Sequence, residues 1–187
     1  MKFTLSIDRR DGENIDNLIH IKEDLLLSDC TIICHQANCF ETMGAGIAKL
    51  IKRKYPEAFE ADKNYVKKLV ENKLFLNMNV YEKAHLKFGR CSSTYTIDRS
   101  KVIVNLYGQF RYGRDKRYTD YEKLASAIEE MLNGVDILEK KGFRIKIGIP
   151  YKMGCYNAGG DWNQVSEIVN ELGRKYGRVI YSYEYKQ

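Results

Sequence analysis

The feature that most restricts the fold of this chain is an alternation between two hydrophobic periods. Short segments whose apolar residues recur every second position, or cluster with β-branched neighbours, are followed by longer ones in which they recur every three to four. Phe3, Leu5 and Ile7 give the first period-two pattern, and Leu18 to Ile21 begins a second extended run. Thr31 to Asn38 starts apolar and β-branched, as an interior strand does, and ends polar. From Gly46 the period changes: Ile47, Leu50, Ile51 and Tyr55 share a helical face, with Lys49, Lys52, Arg53 and Lys54 largely on the other. Pro56 opens a second helical stretch to about Val70. Strands are predicted at Leu74 to Tyr81, Ser93 to Asp98 and Lys101 to Tyr107, the last two joined by a turn at Asp98, Arg99 and Ser100. Thr119 and Glu122 read as a capping box for a helix whose stripe of Leu124, Ala127, Ile128, Met131, Val135 and Leu138 runs to Gly142, weakened midway by Gly134. Arg144 to Ile149 is a strand, Trp162 to Tyr176 a helix, and Arg178 to Tyr183 the last strand.

This alternation predicts an α/β fold, a central sheet with helices on both faces, in which ligands gather beyond the carboxyl ends of the strands. The 187 residues fit one domain, 1–187, with no repeat or low-complexity segment. A formal charge of +6 steers anions toward the chain without demanding a nucleic-acid groove. Five cysteines, an odd number without CxxC spacing, fit a reduced cytoplasm better than a disulfide framework, and no metal site is expected from Cys30, Cys34 and Cys39. No apolar run approaches the roughly 18 residues of a membrane span, so a soluble, cytoplasmic monomer is expected.

Two glycine-bearing loops carry the chemistry. Met43, Gly44, Ala45 and Gly46 follow a strand and open a helix, where a backbone can approach phosphate or sugar and helix N-terminal amides point outward. The loop from Met153 through Gly154, Cys155, Tyr156, Asn157, Ala158, Gly159 and Gly160 repeats this before Trp162. Two such loops suit a diphosphate. GxGxxG and GxxxxGK[ST] are both missing, which argues against dinucleotide oxidoreductase chemistry and a nucleoside-triphosphate site. Asp161 is a natural N-cap with Gln164 as its partner, and His35 at a strand end suits either a structural or a proton-transferring role. His20 and His85 read as structural or surface residues.

In order along the chain, these segments resemble a macro domain, in particular the branch holding ADP-ribose 1''-phosphate phosphatases and glutamate-directed ADP-ribosyl hydrolases. Ile21 to Leu26 resembles the family's opening G-D-[IL] segment, with Glu23 in place of glycine. His35-Gln36-Ala37-Asn38-Cys39 and Met43 to Ala48 resemble its first ligand loop, and Asn105 to Gln109 the end of its middle strand. Ile149-Pro150, Gly154-Cys155 and Gly159 to Trp162 resemble the second loop and the helix after it. The resemblance implies a three-layer α/β/α fold with a central mixed sheet and a cleft for ADP-ribose, with no cofactor. Asp24, beside Leu25, would accept a hydrogen bond from the adenine amino group, and Asn38 would approach the distal ribose. Gly44 to Ile47 and Gly154 to Gly160 would supply amides, with Tyr107, Gly108 and Gln109 alongside. Tyr107, Phe110 or Tyr156 would cover the ligand. His35 and Asp161 match the pair proposed for catalysis in the phosphatase-like members, a carboxylate orienting water and an imidazole moving a proton. The hydrolases' lysine falls on Gly108 here, and Tyr156 to Ala158 lengthen the second loop.

The implied function is hydrolysis at the distal ribose of ADP-ribose 1''-phosphate or of an ADP-ribosylated protein or nucleic acid. The alternatives are a non-catalytic reader of ADP-ribosylated partners and, from the basic balance and fourteen tyrosines, an RNA- or DNA-binding module.

Overall fold

A computed structural model describes residues 16–185; the strand expected at Phe3 to Ile7 lies outside the described residues. In chain order the elements are β1 (Leu18–Ile21), a 3-10 turn (Leu25–Leu27), β2 (Ile32–Asn38), α1 (Gly46–Lys54), α2 (Pro56–Leu69), α3 (Asn72–Asn77), α4 (Val80–Lys87), β3 (Cys91–Tyr95), β4 (Val102–Gln109), α5 (Tyr121–Lys140), β5 (Ile147–Pro150), α6 (Trp162–Lys175) and β6 (Ile180–Tyr183). The strands form one sheet in the order β1-β6-β5-β2-β4-β3, parallel throughout except where β3 meets β4.

The pleat sorts the side chains into two cores. Ile32 and Cys34 of β2, with Val102, Val104 and Leu106 of β4, pack under Leu124, Ile128, Val135, Val165 and Val169 of α5 and α6. The intervening Ile33 and Ile103 face the other way, against Ile51 of α1 and Ala58 of α2. With both faces covered, the interior strands are buried along nearly their whole length, and the result is an α/β/α sandwich on a mixed sheet.

Several local readings are corrected. Leu74 to Tyr81 is not a strand but spans the end of α3 and the start of α4: Phe75 and Met78 are its half-buried residues, three apart, while the alternating set Leu74, Leu76 and Val80 is exposed. The Asn79–Glu82 capping box starts α4 there. Asp120, not Thr119, caps α5 by accepting from the Lys123 amide, and the helix runs unbroken through Gly134. Leu50 leaves the buried face of α1, being 51% exposed. The strand expected from Ser93 begins at Cys91 and ends at Tyr95, and Arg99 adopts a left-handed φ of 56° in the turn that follows.

The order β5-β2-β4 positions the site. These strands are adjacent and parallel, so their carboxyl ends, at Pro150, Asn38 and Gln109, lie along one edge. The chain leaves β2 toward β4 by way of α1 and α2, whereas β5 is reached through α5 on the opposite face. Connections departing to opposite faces leave a crevice between them.

Candidate functional site

That crevice is a cleft of about 540 Å³, within the usual size of a small-molecule site. Both glycine loops line it. Asn38 and Met43, Gly44, Ala45, Gly46 and Ile47 form one wall, and Met153, Gly154, Tyr156, Asn157 and Ala158 the other, with Gln109 between. The walls touch: a methyl group on Gly46 would lie 2.8 Å from Asn157 Nδ2. Residues more than a hundred positions apart thus enclose one space.

The cleft suits an anion. The N-cap of α1 is Ala45, which supplies no side-chain acceptor, so the first amides of that helix are uncapped. Among the described residues, no protein group accepts from the N–H of Gly44, Ala45, Gly46 or Ile47, nor from that of Gly154, Tyr156 or Asn157. The α1 dipole adds partial positive charge at this end. Lys152 and Arg114 line the cleft, and no described carboxylate does.

The second loop is held open by backbone geometry and one polar strut. Lys152, Gly154 and Gly159 take left-handed φ values of 55°, 74° and 65°, turning the chain sharply after β5. Thr119 Oγ1 donates to the Gly154 carbonyl at 2.6 Å and accepts from Gln36 Nε2 at 2.9 Å. Gln36 Nε2 also donates to Gln109 Oε1 at 2.7 Å, tying the ends of β2 and β4 to the loop. The first loop is braced through Asn38, which accepts from the Phe40 amide and donates to the Thr42 carbonyl, and through Glu41 in a left-handed conformation.

Other expected residues lie outside this space. The amides of Gly159 and Gly160 are spent on the carbonyls of Cys155 and Gly154, so the donors of that loop are fewer than its glycines. Cys155, Gly159, Gly160 and Asp161 do not line the cleft, and neither do Asp24, Leu25, Tyr107 or Gly108. Asp24 caps the 3-10 turn, accepting from the Leu26 amide at 2.8 Å, and Leu25 is core. Gly108 packs against Leu124, where a Cβ would approach to 2.8 Å. Tyr107 is fully buried and covers nothing; Phe110 packs on Phe40, His85 and Phe88, outside the lining. Tyr156, 85% exposed, is the aromatic of the three at the cleft.

No hydrogen bond joins His35 and Asp161. Asp161 is an exposed N-cap of α6, accepting from the Asn163 amide at 2.9 Å. His35 touches the cleft lining but its side chain is sealed, on the α1/α2 face of the sheet. Its Nε2 lies 2.7 Å from Asn105 Oδ1, and Asn105 Nδ2 donates to Ala58 O and Ser92 Oγ, so Asn105 offers the ring only its oxygen and Nε2 donates to it, while Nδ1 lies 3.2 Å from the Gln36 carbonyl. Burial pushes the His35 pKa below the ordinary histidine range, outweighing the Asn105 bond, the nearby Asp62 charge and the Gln36 carbonyl. From Ser92 the chain of bonds passes to Tyr107 OH at 2.7 Å and on to Asp62 Oδ1 at 2.9 Å. Lys87, itself fully buried, donates to Asp62 Oδ1 at 2.8 Å and to Glu41 Oε1 at 3.1 Å, back at the first loop.

Sequence reading missed Gln36, Thr119, Tyr112, Arg114 and Lys152. The run from Arg111 to Tyr118, with its four cations, is a signal that could have found Tyr112 and Arg114; Gln36 and Thr119 reveal their role only when distant strands meet. His20 bonds to Ser182 and Glu184, and the cysteines are free. Among the described residues no cluster could hold a metal ion and no helix is long and apolar enough to cross a membrane.

The layers, strand order and cleft define the macrodomain fold, and comparison with solved structures agrees. No protein-family model matches the chain. The macrodomain of DarG from Mycobacterium tuberculosis superposes with a TM-score of 0.65 at 19% identity, covering 91% of this chain and 97% of that one. DarTG from Thermosipho africanus, in complex with ADP-ribose, superposes with a TM-score of 0.65 at 16% identity, over 94% of this chain and 43% of that one. A protein of unknown function from Bacteroides thetaiotaomicron gives 0.69 at 19%, covering 91% and 99%. By sequence, the chain is 29% identical over 167 residues to an uncharacterised 17.5 kDa protein in the tk-vs intergenic region of Enterobacteria phage T4, covering 88% of this chain and 96% of that protein.

Proposed function

We propose that this chain binds ADP-ribose in the cleft and hydrolyses the bond at its distal ribose. The reading is carried by the uncapped α1 N-terminus and the unengaged amides of Gly154, Tyr156 and Asn157 lining the same space. Amides from two directions match a diphosphate, whose charge extends over several oxygens. DarTG from Thermosipho africanus, whose structure was solved in complex with ADP-ribose, shares the fold over 43% of its chain. Hydrolysis joins a water oxygen to the anomeric carbon or the 1''-phosphorus and passes its proton to the leaving group. The amides of both loops can meet the charge that develops there.

A second reading, a non-catalytic reader of ADP-ribosylated partners, is favoured by the sealed His35 ring and by the capping role of Asp161. One experiment separates the two. Calorimetric titration with ADP-ribose, ADP and AMP is followed by product assays on ADP-ribose 1''-phosphate and on an ADP-ribosylated ester. Affinity falling from ADP-ribose to ADP, with turnover of either substrate, supports the hydrolase. Tight binding without turnover selects the reader, and equal affinity for all three ligands removes both.

A further inference from the structure

The segment Arg111 to Tyr118 joins β4 to the approach of α5 and carries Arg111, Arg114, Lys116 and Arg117 against a lone carboxylate, Asp115. All four cations are exposed, and among the described residues none forms an ion pair. Asp115 cannot neutralise the segment alone, and it accepts from Tyr118 OH at 2.8 Å. The positive charge here is therefore concentrated and uncompensated.

The segment is fastened to the cleft. The amides of Tyr118 and Thr119 donate to Ala158 O, and Gly159 packs so closely on Arg117 that a methyl group there would lie 3.2 Å from its Cα. Arg114 donates to Asn157 Oδ1 at 2.6 and 3.1 Å, with its guanidinium 5.7 Å from the centre of the Tyr156 ring. Tyr112 and Tyr156 line the cleft and are 60% and 85% exposed, so planar aromatic faces stand among the cations where the cleft meets solvent.

We infer that this rim is a docking surface for single-stranded nucleic acid. Cations supply phosphate contacts, and exposed tyrosines supply stacking faces for unpaired bases, a combination that tracks single strands. An acidic polypeptide would be met by the cations but has no bases to stack. Resting on the ADP-ribose reading of the cleft, the inference narrows the substrate to a nucleic-acid strand bearing an ADP-ribosyl group, the strand on the rim and the modification within.

The test uses fluorescence anisotropy with the full chain and labelled 12-nucleotide single-stranded DNA and RNA, the same sequence as duplex, and a poly-glutamate peptide. The expected order is single strands tightest, duplex and peptide at least about fivefold weaker. Changing Arg111, Lys116 and Arg117 together to Gln leaves every cleft-lining side chain in place. It should weaken single-strand binding at least tenfold and reduce the salt slope by about 2, at roughly 0.7 per lost phosphate contact. Tyr156→Ala should lower single-strand affinity about fivefold or more. Poly-glutamate or duplex binding as tight as single strands, or a triple variant indistinguishable from wild type, would overturn the inference. So would ADP-ribose binding with no oligonucleotide binding, which leaves the cleft reading intact. Oligonucleotide binding without ADP-ribose binding upholds the surface and removes the cleft reading instead.

Discussion

At the scale of single residues, the buried polar groups are the most exacting feature. Lys87 is fully enclosed and depends on Asp62, so Lys87→Met should destabilise the fold by about 3–5 kcal/mol by leaving a buried carboxylate without its cation. Urea denaturation measures this, and Lys87→Met combined with Asp62→Leu should recover part of the loss. His35 makes stability depend on pH. Its folded-state pKa is depressed, so between the unfolded and folded values the unfolded chain binds more protons. The contribution is whole above about pH 6.5, the ordinary histidine value, and is lost as the pH falls below it. Denaturation midpoints at pH 7.5 and 5.5 should differ less in His35→Gln than in wild type. Asp161→Ala should cost about 1 kcal/mol as a lost helix cap, with ADP-ribose affinity within twofold of wild type, because the carboxylate lies outside the cleft lining.

At the scale of elements, the site depends on loops that must approach without side chains intervening. Gly154 has a φ of 74°, and a Cβ there would fall 2.3 Å from Gln36 Oε1. Gly154→Ala should therefore lower ADP-ribose affinity at least tenfold in calorimetry while most of the fold, as seen by circular dichroism, persists. Most elements were legible because periodicity and burial agree: Ile32 to Cys34, or Leu124 to Val135, point where their patterns say. Leu74 to Tyr81 misled because its period-two stripe is solvent-exposed and has no sheet to face, while the Asn79–Glu82 capping box held the better signal. Thr119 looked like a cap because threonine before Glu122 fits the motif, but its hydroxyl is committed to Gly154 O and Asp120 takes the capping place.

At the scale of the whole molecule, the two glycine loops were visible in sequence as separate anion-friendly turns, and the strand order β5-β2-β4 makes them the walls of one cleft. Their partners in that cleft were not legible. Gln36 and Thr119 have no sequence signature, and the pleat that turns the His35 ring toward α1 and α2, against Asn105, shows only in the folded sheet. The central claim is that one ligand engages both walls, and amide-resolved NMR titration with ADP-ribose addresses it directly. The amides of Gly44 to Ile47 and those of Gly154, Tyr156 and Asn157 are expected to shift together, along a single saturation curve. Shifts confined to one loop, or two curves with separate midpoints, would contradict it.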